Sequence, residues 1–271
     1  MFPNLRHASL SRALGLTTRL RLNEFAPLAT LAAVGFFGWG FFALADEVSE
    51  GDTLRLDRSI LLALRNPANL ADPIGPSWFE EVARDFTGLG GHAILGLATI
   101  GTMLYLAMTR RRGAALFVLA SIGGGMVLSA ALKLGFDRPR PDLVPHGARV
   151  YTASFPSGHA MLSAVTYLTL GALLARFHAL RRVKLFFLGF AMGLTVLVGL
   201  SRIYLGVHWP SDVLAGWCVG AAWAGLCWYG ALLLQRRGSV EGEAVPAVET
   251  SVTGVAGEPG RPQAAASKAA G

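Results

Sequence analysis

The chain of 271 residues is 53% hydrophobic and carries a formal net charge of +7. Its mean hydropathy of +0.48 is too high for an ordinary soluble domain. The basic residues lie in short clusters beside long apolar runs and form no aromatic-interleaved basic face, so the positive charge does not indicate a nucleic-acid-binding protein. The composition indicates an integral membrane protein.

Six apolar runs are long enough, or nearly so, to cross a hydrocarbon core, which takes about 20 helical residues. Their lengths indicate helices and not the short alternating strands of a β-barrel. We therefore predict an all-α fold, with a six-transmembrane-helix bundle at 26–234 between a leader at 1–25 and a disordered tail at 235–271. The predicted spans are 26–45, 89–109, 114–134, 159–177, 185–201 and 212–234.

Basic residues predict the orientation of this bundle. They cluster before the first run, between the second and third, between the fourth and fifth, and after the sixth, which is one side of a six-span protein. The positive-inside rule places that side, and with it both termini, in the cytoplasm. The opposite connection at 46–87 carries nine acidic residues against four arginines. The basic residues are Arg6, Arg12, Arg19, Arg21, Arg110, Arg111, Arg112, Arg176, Arg181, Arg182, Lys184, Arg236 and Arg237.

Two segments near the first span need separate interpretation. Ala43-Leu44-Ala45 resembles a signal-peptidase site, but the apolar run before it is longer than a usual signal core and follows a long polar leader. We therefore expect an uncleaved anchor. Segment 53–66 mixes apolar and charged positions and ends before Pro67, which predicts a short helix on the outer surface. That helix either screens the functional site or only covers the bundle.

Three short polar segments lie at the predicted helix ends. The first reads K-x6-R-P from Lys133 to Pro141, the second reads P-S-G-H at 156–159, and the third reads S-R-x5-H-x3-D at 201–212. Hydropathy alone places the residues of all three in one layer, at ends of the third to sixth spans, and the distribution of basic residues makes that layer the outward one. Because random placement would scatter them over both membrane faces, we expect them to form one outward-facing site.

The residue types in these segments suit phosphoryl transfer without a metal. His208 is the predicted nucleophile, because Asp212 four residues later can fix the tautomer of its ring. His159 begins a helix and is the predicted proton donor to the leaving oxygen. The sequence lacks metal-ligand patterns near these residues, so we predict neither a metal nor another cofactor. The predicted phosphate-binding residues are Lys133, Arg140, Ser157, Gly158 and Arg202.

The three segments closely resemble the signature of the type 2 phosphatidic acid phosphatase superfamily, the membrane phosphatases related to bacterial acid phosphatases and vanadium haloperoxidases. The resemblance covers about 26–234 and implies a phosphohistidine intermediate on His208, acid catalysis by His159 and no metal requirement. Arg138 and Pro139 duplicate the ending of the first segment, but only Arg140 has the family's spacing from Lys133. We therefore leave Arg138 outside the predicted phosphate site.

We predict a phosphatase acting on a lipid phosphate or diphosphate in a bacterial inner membrane, with its site facing the periplasm or exterior. An outward site suits undecaprenyl diphosphate, which we rank ahead of phosphatidate or phosphatidylglycerophosphate, and Arg138 could reach a second phosphate. The alternatives are an anion transporter, a phosphate-binding membrane protein without hydrolytic activity, or a haloperoxidase. Charges at span ends and the lack of repeated halves argue against a transporter, and the small soluble part argues against a haloperoxidase. The oligomeric state is left open.

Overall fold

The computed structural model describes residues 5–144 and 152–236, with side chains from residue 25 to residue 235 of these ranges. The predicted tail from residue 237 onward lies outside the described residues, and so do the side chains of the leader up to residue 24. The chain is mostly helical. Its elements are α1 (Leu5–Glu50), α2 (Leu54–Ala63), β1 (Arg65–Asn66), β2 (Asn69–Pro73), α3 (Ser77–Leu89), α4 (His92–Met108), α5 (Arg112–Gly135), α6 (Gly158–Arg176), α7 (Arg181–Tyr204) and α8 (Pro210–Arg236).

Five helices in the described part of the chain are long and apolar enough to cross a membrane: α1, α5, α6, α7 and α8. The predicted second span at 89–109 is different. Its helix α4 has 17 residues and passes the same test only together with α3, from which it is bent by 46°. Counting that bent pair as one span gives six, so the prediction of a multi-spanning helical bundle is confirmed.

The bend between α3 and α4 falls at Gly90 and Gly91. Gly90 lies so close to α7 that an added Cβ would be 2.4 Å from Cγ1 of Val198, which means that only glycine fits there. The same added Cβ would be 3.4 Å from the His159 ring. The break therefore brings the start of α4 against the start of α6 and the end of α7.

The connection at 46–87 contains the predicted surface helix, α2, but it also contains a strand pair, so the all-α prediction is wrong in this segment. Strands β1 and β2 pair antiparallel, with Asn66 opposite Asn69. Helix α2 already ends at Ala63, before Pro67, and the Asn66 side chain accepts a hydrogen bond from the Ala68 N–H at 3.1 Å. Such a side-chain turn favours a tight reversal over further helix.

Helix α6 lies in the middle of the bundle and packs against α5, α7 and α8, while α1 packs against α8. Its contact with α8 is close because α8 presents glycines. An added Cβ on Gly216 would be 2.7 Å from the Ser157 carbonyl oxygen, and one on Gly220 would be 2.6 Å from the Met161 carbonyl oxygen. This close packing fixes the start of α6 relative to the start of α8.

Candidate active site

The ends of α5, α6, α7 and α8 that carry the three polar segments converge on one layer. The Ser157 N–H donates to the Asp212 carbonyl oxygen at 2.9 Å, which joins the starts of α6 and α8. An added Cβ on Gly158 would lie 3.3 Å from Cε of Lys133, which joins the end of α5 to the same point. Arg202 lies at the end of α7, within electrostatic reach of His208. The predicted site residues are therefore brought together.

The His208 ring and the Asp212 carboxylate are both buried, with exposed fractions of 1% and 0%. Nδ1 of His208 lies 3.4 Å from Oδ2 of Asp212. The same oxygen accepts hydrogen bonds from the Ser154 hydroxyl at 2.5 Å and from the Trp209 N–H at 3.0 Å. These donors hold the carboxylate in place beside the ring.

The other ring nitrogen of His208 faces Arg140. Nη1 of Arg140 lies 3.0 Å from Nε2 of His208 and donates to the Val207 carbonyl oxygen at 2.7 Å. Because a guanidinium only donates, Nε2 must accept, and the ring proton belongs on Nδ1 facing Asp212. Burial lowers the pKa of His208 to about 3, and the cations of Arg202 and Arg140 act in the same direction. The ring is therefore neutral near pH 7, with an available lone pair on Nε2.

The three predicted cations are held by neutral oxygen atoms. Nζ of Lys133 donates to the Thr152 hydroxyl at 3.1 Å and to the Ala153 carbonyl at 3.0 Å. Nε of Arg140 donates to the Thr152 carbonyl at 2.8 Å. Nη1 of Arg202 donates to the Thr87 hydroxyl at 3.2 Å, and its buried Nε has no hydrogen-bond partner.

None of these three cations belongs to a salt bridge among the described residues. Their positive charge is therefore not neutralised by a carboxylate in direct contact. Burial lowers the pKa of Arg140, yet a guanidinium remains charged at any physiological pH. Three fixed cations beside a neutral imidazole form a site suited to a multiply charged anion.

Ser157 and Gly158 form the start of α6. Ser157 is the N-cap residue, and its side-chain oxygen accepts a hydrogen bond from the Ala160 N–H at 3.5 Å. The hydroxyl proton of Ser157 remains available to donate. Gly158 is buried against Lys133, so the N–H groups and the positive dipole end of the helix start lie beside this cation.

His159 follows on the first turn of α6 and lies within electrostatic reach of His208, Arg202 and Lys133. Its ring also lies beside that of a second histidine, His92, at the start of α4. The ring centroids of His92 and His159 are 6.4 Å apart in an edge-to-face arrangement.

The structure corrects our expectation for Arg138. Instead of pointing to a second phosphate, its guanidinium donates to Asp212 Oδ1 at 2.5 Å, to Ser211 Oγ at 2.8 Å and to Asp57 Oδ2 at 2.8 Å. With the Thr53 hydroxyl, which accepts from Nη2 at 3.2 Å, two carboxylates and two hydroxyls bind this arginine. Sequence reasoning also missed Ser154, which contacts Asp212, although Ser154 stands only two residues before the second polar segment.

The sequence and the fold were compared with known proteins. The model of the PAP2 superfamily matches residues 114–235, which include all three polar segments. Phosphatidylglycerophosphatase B of Bacillus subtilis is 34% identical over 146 residues, which are 53% of this chain and 70% of the relative. An undecaprenyl-diphosphatase of Sulfolobus acidocaldarius is 31% identical over 137 residues, which are 48% of this chain and 61% of the relative.

A solved structure agrees with these relatives. The crystal structure of a transmembrane PAP2 type phosphatidylglycerolphosphate phosphatase from Bacillus subtilis matches with a TM-score of 0.58 and 27% sequence identity. The match covers 75% of this chain and 94% of that chain. The similarity thus extends well beyond the residues that the family model matches.

Proposed function

The chain belongs to the PAP2 superfamily, and we propose that it is a membrane phosphatase that removes a phosphoryl group from a lipid phosphate or diphosphate. The observation that carries the proposal is the state of His208. Its Nδ1 faces Asp212, its Nε2 faces Arg140, and its ring is buried and neutral. This arrangement suits a nucleophile whose attacking atom already lies beside a phosphate-binding cation.

The first step of the proposed reaction is attack on phosphorus. Arg140 leaves Nε2 of His208 for an equatorial oxygen of the bound phosphate, and Lys133 and Arg202 bind the remaining oxygens. The Nε2 lone pair then forms an N–P bond while the P–O bond to the lipid breaks. Asp212 stabilises the positive charge that develops on the ring, since it lies at Nδ1.

His159 is the proposed proton donor to the leaving lipid oxygen. The negative charge of the bound phosphate favours the protonated imidazolium, because the fixed charges near His159 are the cations of Arg202 and Lys133. In the second step His159 accepts a proton from water, the water oxygen attacks the phosphohistidine, and the N–P bond breaks to release inorganic phosphate. The three cations provide the charge stabilisation that a metal would otherwise supply, so we propose a reaction that requires no metal.

We further propose six spans with both termini in the cytoplasm of a bacterial inner membrane. The site then opens toward the periplasm or exterior, and residues 1–25 and 235–271 form cytoplasmic segments. The support is the distribution of arginines and lysines at the ends of the helices. A reporter inserted at Arg112 should be cytoplasmic and one inserted at Asn69 should be external. The reverse result would place the active site in the cytoplasm.

The substrate proposal keeps undecaprenyl diphosphate first, because that lipid must lose a phosphate on the outward face where we place the site. Phosphatidate and phosphatidylglycerophosphate follow, and phosphatidylglycerophosphate has support from the relative in Bacillus subtilis. Arg138 does not favour a diphosphate, since its charge is already paired with the carboxylates of Asp57 and Asp212. The ranking now depends on the orientation of the protein.

The test is phosphate release by the purified full-length protein, measured on these three lipids in mixed micelles. We expect turnover of at least one of them, loss of that turnover in His208→Ala, and an acid-labile phosphoenzyme in the wild type only. Binding of a lipid phosphate without any phosphate release would favour the alternative of a non-hydrolytic binding protein. Turnover that survives in His208→Ala would remove the proposed nucleophile.

A further inference from the structure

Asp57 is the buried acid of a helix that otherwise lies at the surface. Helix α2 exposes Leu54, Leu56 and Ile60, yet the exposed fraction of Asp57 is 2%. Leu61, one helical turn later, is fully buried, so the two residues share the inward face of α2. A carboxylate at such a position needs strong partners, because its desolvation is costly.

The partners of Asp57 are the same groups that surround Asp212. Oδ2 of Asp57 accepts from Nη2 of Arg138 at 2.8 Å and from the Ser211 hydroxyl at 2.6 Å, and Oδ1 accepts from the Ser211 N–H at 2.9 Å. Nη1 of Arg138 donates to Asp212 at 2.5 Å. One guanidinium therefore bridges two buried carboxylates, one on α2 and one on α8.

We propose that Asp57 is a positioning residue for the nucleophile, acting through Arg138 and Asp212 on His208. The inference rests on the proposed phosphatase function, because it assigns a role within that site. In this role of Asp57, helix α2 forms the back of the active site instead of only covering the bundle.

The proposed effect of Asp57 is electrostatic. With Asp57 present, Arg138 interacts with two carboxylates at once and neutralises Asp212 only in part, so Asp212 can still stabilise an imidazolium on His208. Without the Asp57 charge, Asp212 would be the one carboxylate left in the described contacts of Arg138. Arg140 and Arg202 already add positive charge around the ring. Asp212 would then stabilise the imidazolium less, which slows the attack on phosphorus.

The same bridge also fixes geometry. The planar guanidinium is bound at both Nη atoms, so its fork cannot rotate about the bond to Nε. Ser211, the residue before Asp212, is bound by both Asp57 oxygens. The start of α8, and therefore the direction of the Asp212 carboxylate, is fixed from two sides.

Asp57→Asn tests this role because it keeps the size of the side chain and an acceptor for Ser211 but removes the charge. We expect kcat to fall about tenfold, the order of one charge-assisted hydrogen bond, with KM unchanged within about twofold. Asp57→Glu, which restores the charge, should recover part of the lost kcat. The matched control is Asp72→Asn, the same change at an exposed aspartate of β2, which should leave kcat and KM unchanged.

A double-mutant cycle shows whether Asp57 acts through Arg138. The additional loss of kcat from Asp57→Asn should be less than about twofold in an Arg138→Gln background, because the bridge is already absent there. If the wild-type protein is active and Asp57→Asn keeps the full kcat, the inference is overturned and the phosphatase proposal stays intact. A lower melting temperature with unchanged kcat overturns it as well, since Asp57 would then only stabilise the fold. An inactive wild type would refute the phosphatase proposal itself.

Discussion

Replacing Asp212 by asparagine exchanges one carboxylate oxygen for an amide nitrogen that can only donate. In the wild type, Oδ1 of Asp212 accepts from Arg138, and Oδ2 accepts from the Trp209 N–H and the Ser154 hydroxyl and faces Nδ1 of His208. Arg138 and the Trp209 N–H are both obligate donors. Whichever way the new amide turns, its nitrogen therefore meets a donor that has lost its acceptor.

The size of the effect follows from which donor the amide oxygen keeps. A hydrogen bond to a charged group contributes about 1.5–3 kcal/mol against about 0.5–1.5 kcal/mol for a neutral one, so we expect the amide oxygen to stay with Arg138. The amide nitrogen then faces Nδ1 of His208, and the ring proton moves to Nε2. An Nε2–H cannot attack phosphorus and also opposes Nη1 of Arg140. Such a tautomer inversion in a serine protease triad lowers kcat about 10⁴-fold.

We therefore expect Asp212→Asn to lower kcat by about 10³- to 10⁴-fold while KM changes little. The assay is phosphate release from a lipid phosphate at saturating concentration by detergent-purified protein. Asp72→Asn is the control for the chemical change, and His208→Ala gives the background rate. A melting temperature within a few degrees of the wild type would show that the Asp212→Asn protein is folded. More than a tenth of wild-type kcat in that folded protein would refute the tautomer argument.

Three further outcomes are expected. Burial lowers the pKa of His208 from its ordinary 6.5 to about 3. The contribution of the neutral ring to the free energy of unfolding is therefore fully present above pH 6.5 and is lost as the pH falls toward 3, so the melting temperature should fall between pH 7 and pH 4. The same fall of the melting temperature in a His208→Asn protein would show that His208 is not its cause. Activity should survive EDTA and be inhibited by vanadate, and loss on chelation that magnesium or zinc restores would contradict the metal-free proposal. Gly216→Ala should lower both melting temperature and kcat, since its Cβ would be 2.7 Å from the Ser157 carbonyl, whereas Gly189→Ala meets nothing within 4 Å and should have no effect. Equal melting temperatures of Gly216→Ala and Gly189→Ala would contradict the close packing of α8 against α6.

The helices and the meeting point of the polar segments could be predicted from sequence because both signals are local. Apolar runs set the spans, and Ser157 followed by Gly158 is a recognisable helix start. Because successive spans alternate in direction, the spans that start near His159 and Asp212 must start on the same membrane face on which the span of Lys133 ends. The prediction needed no knowledge of packing.

Other features depend on packing between distant residues, which a single sequence does not show. Asp57 binds Arg138 across 81 positions of sequence, and nothing in the composition of α2 distinguishes Asp57 from its exposed neighbours. The bend at Gly90 depends on the approach of Val198 from α7. The glycines before α4 do signal a break in the helix, but not its direction.

The two arginines of the R-P-R-P segment show why the spacing of this motif matters. Arg138 and Arg140 are two residues apart, about 7 Å along an extended chain, and Pro139 restricts the backbone between them. Arg138 binds Asp212, which faces Nδ1 of His208, and Arg140 faces Nε2 of the same ring. One short segment therefore acts on both ring nitrogens: its first arginine binds the carboxylate that faces Nδ1, and its second faces Nε2, where we propose that phosphate binds. Arg138 interacts with the acids, which leaves Arg140 free of them and available to an anion.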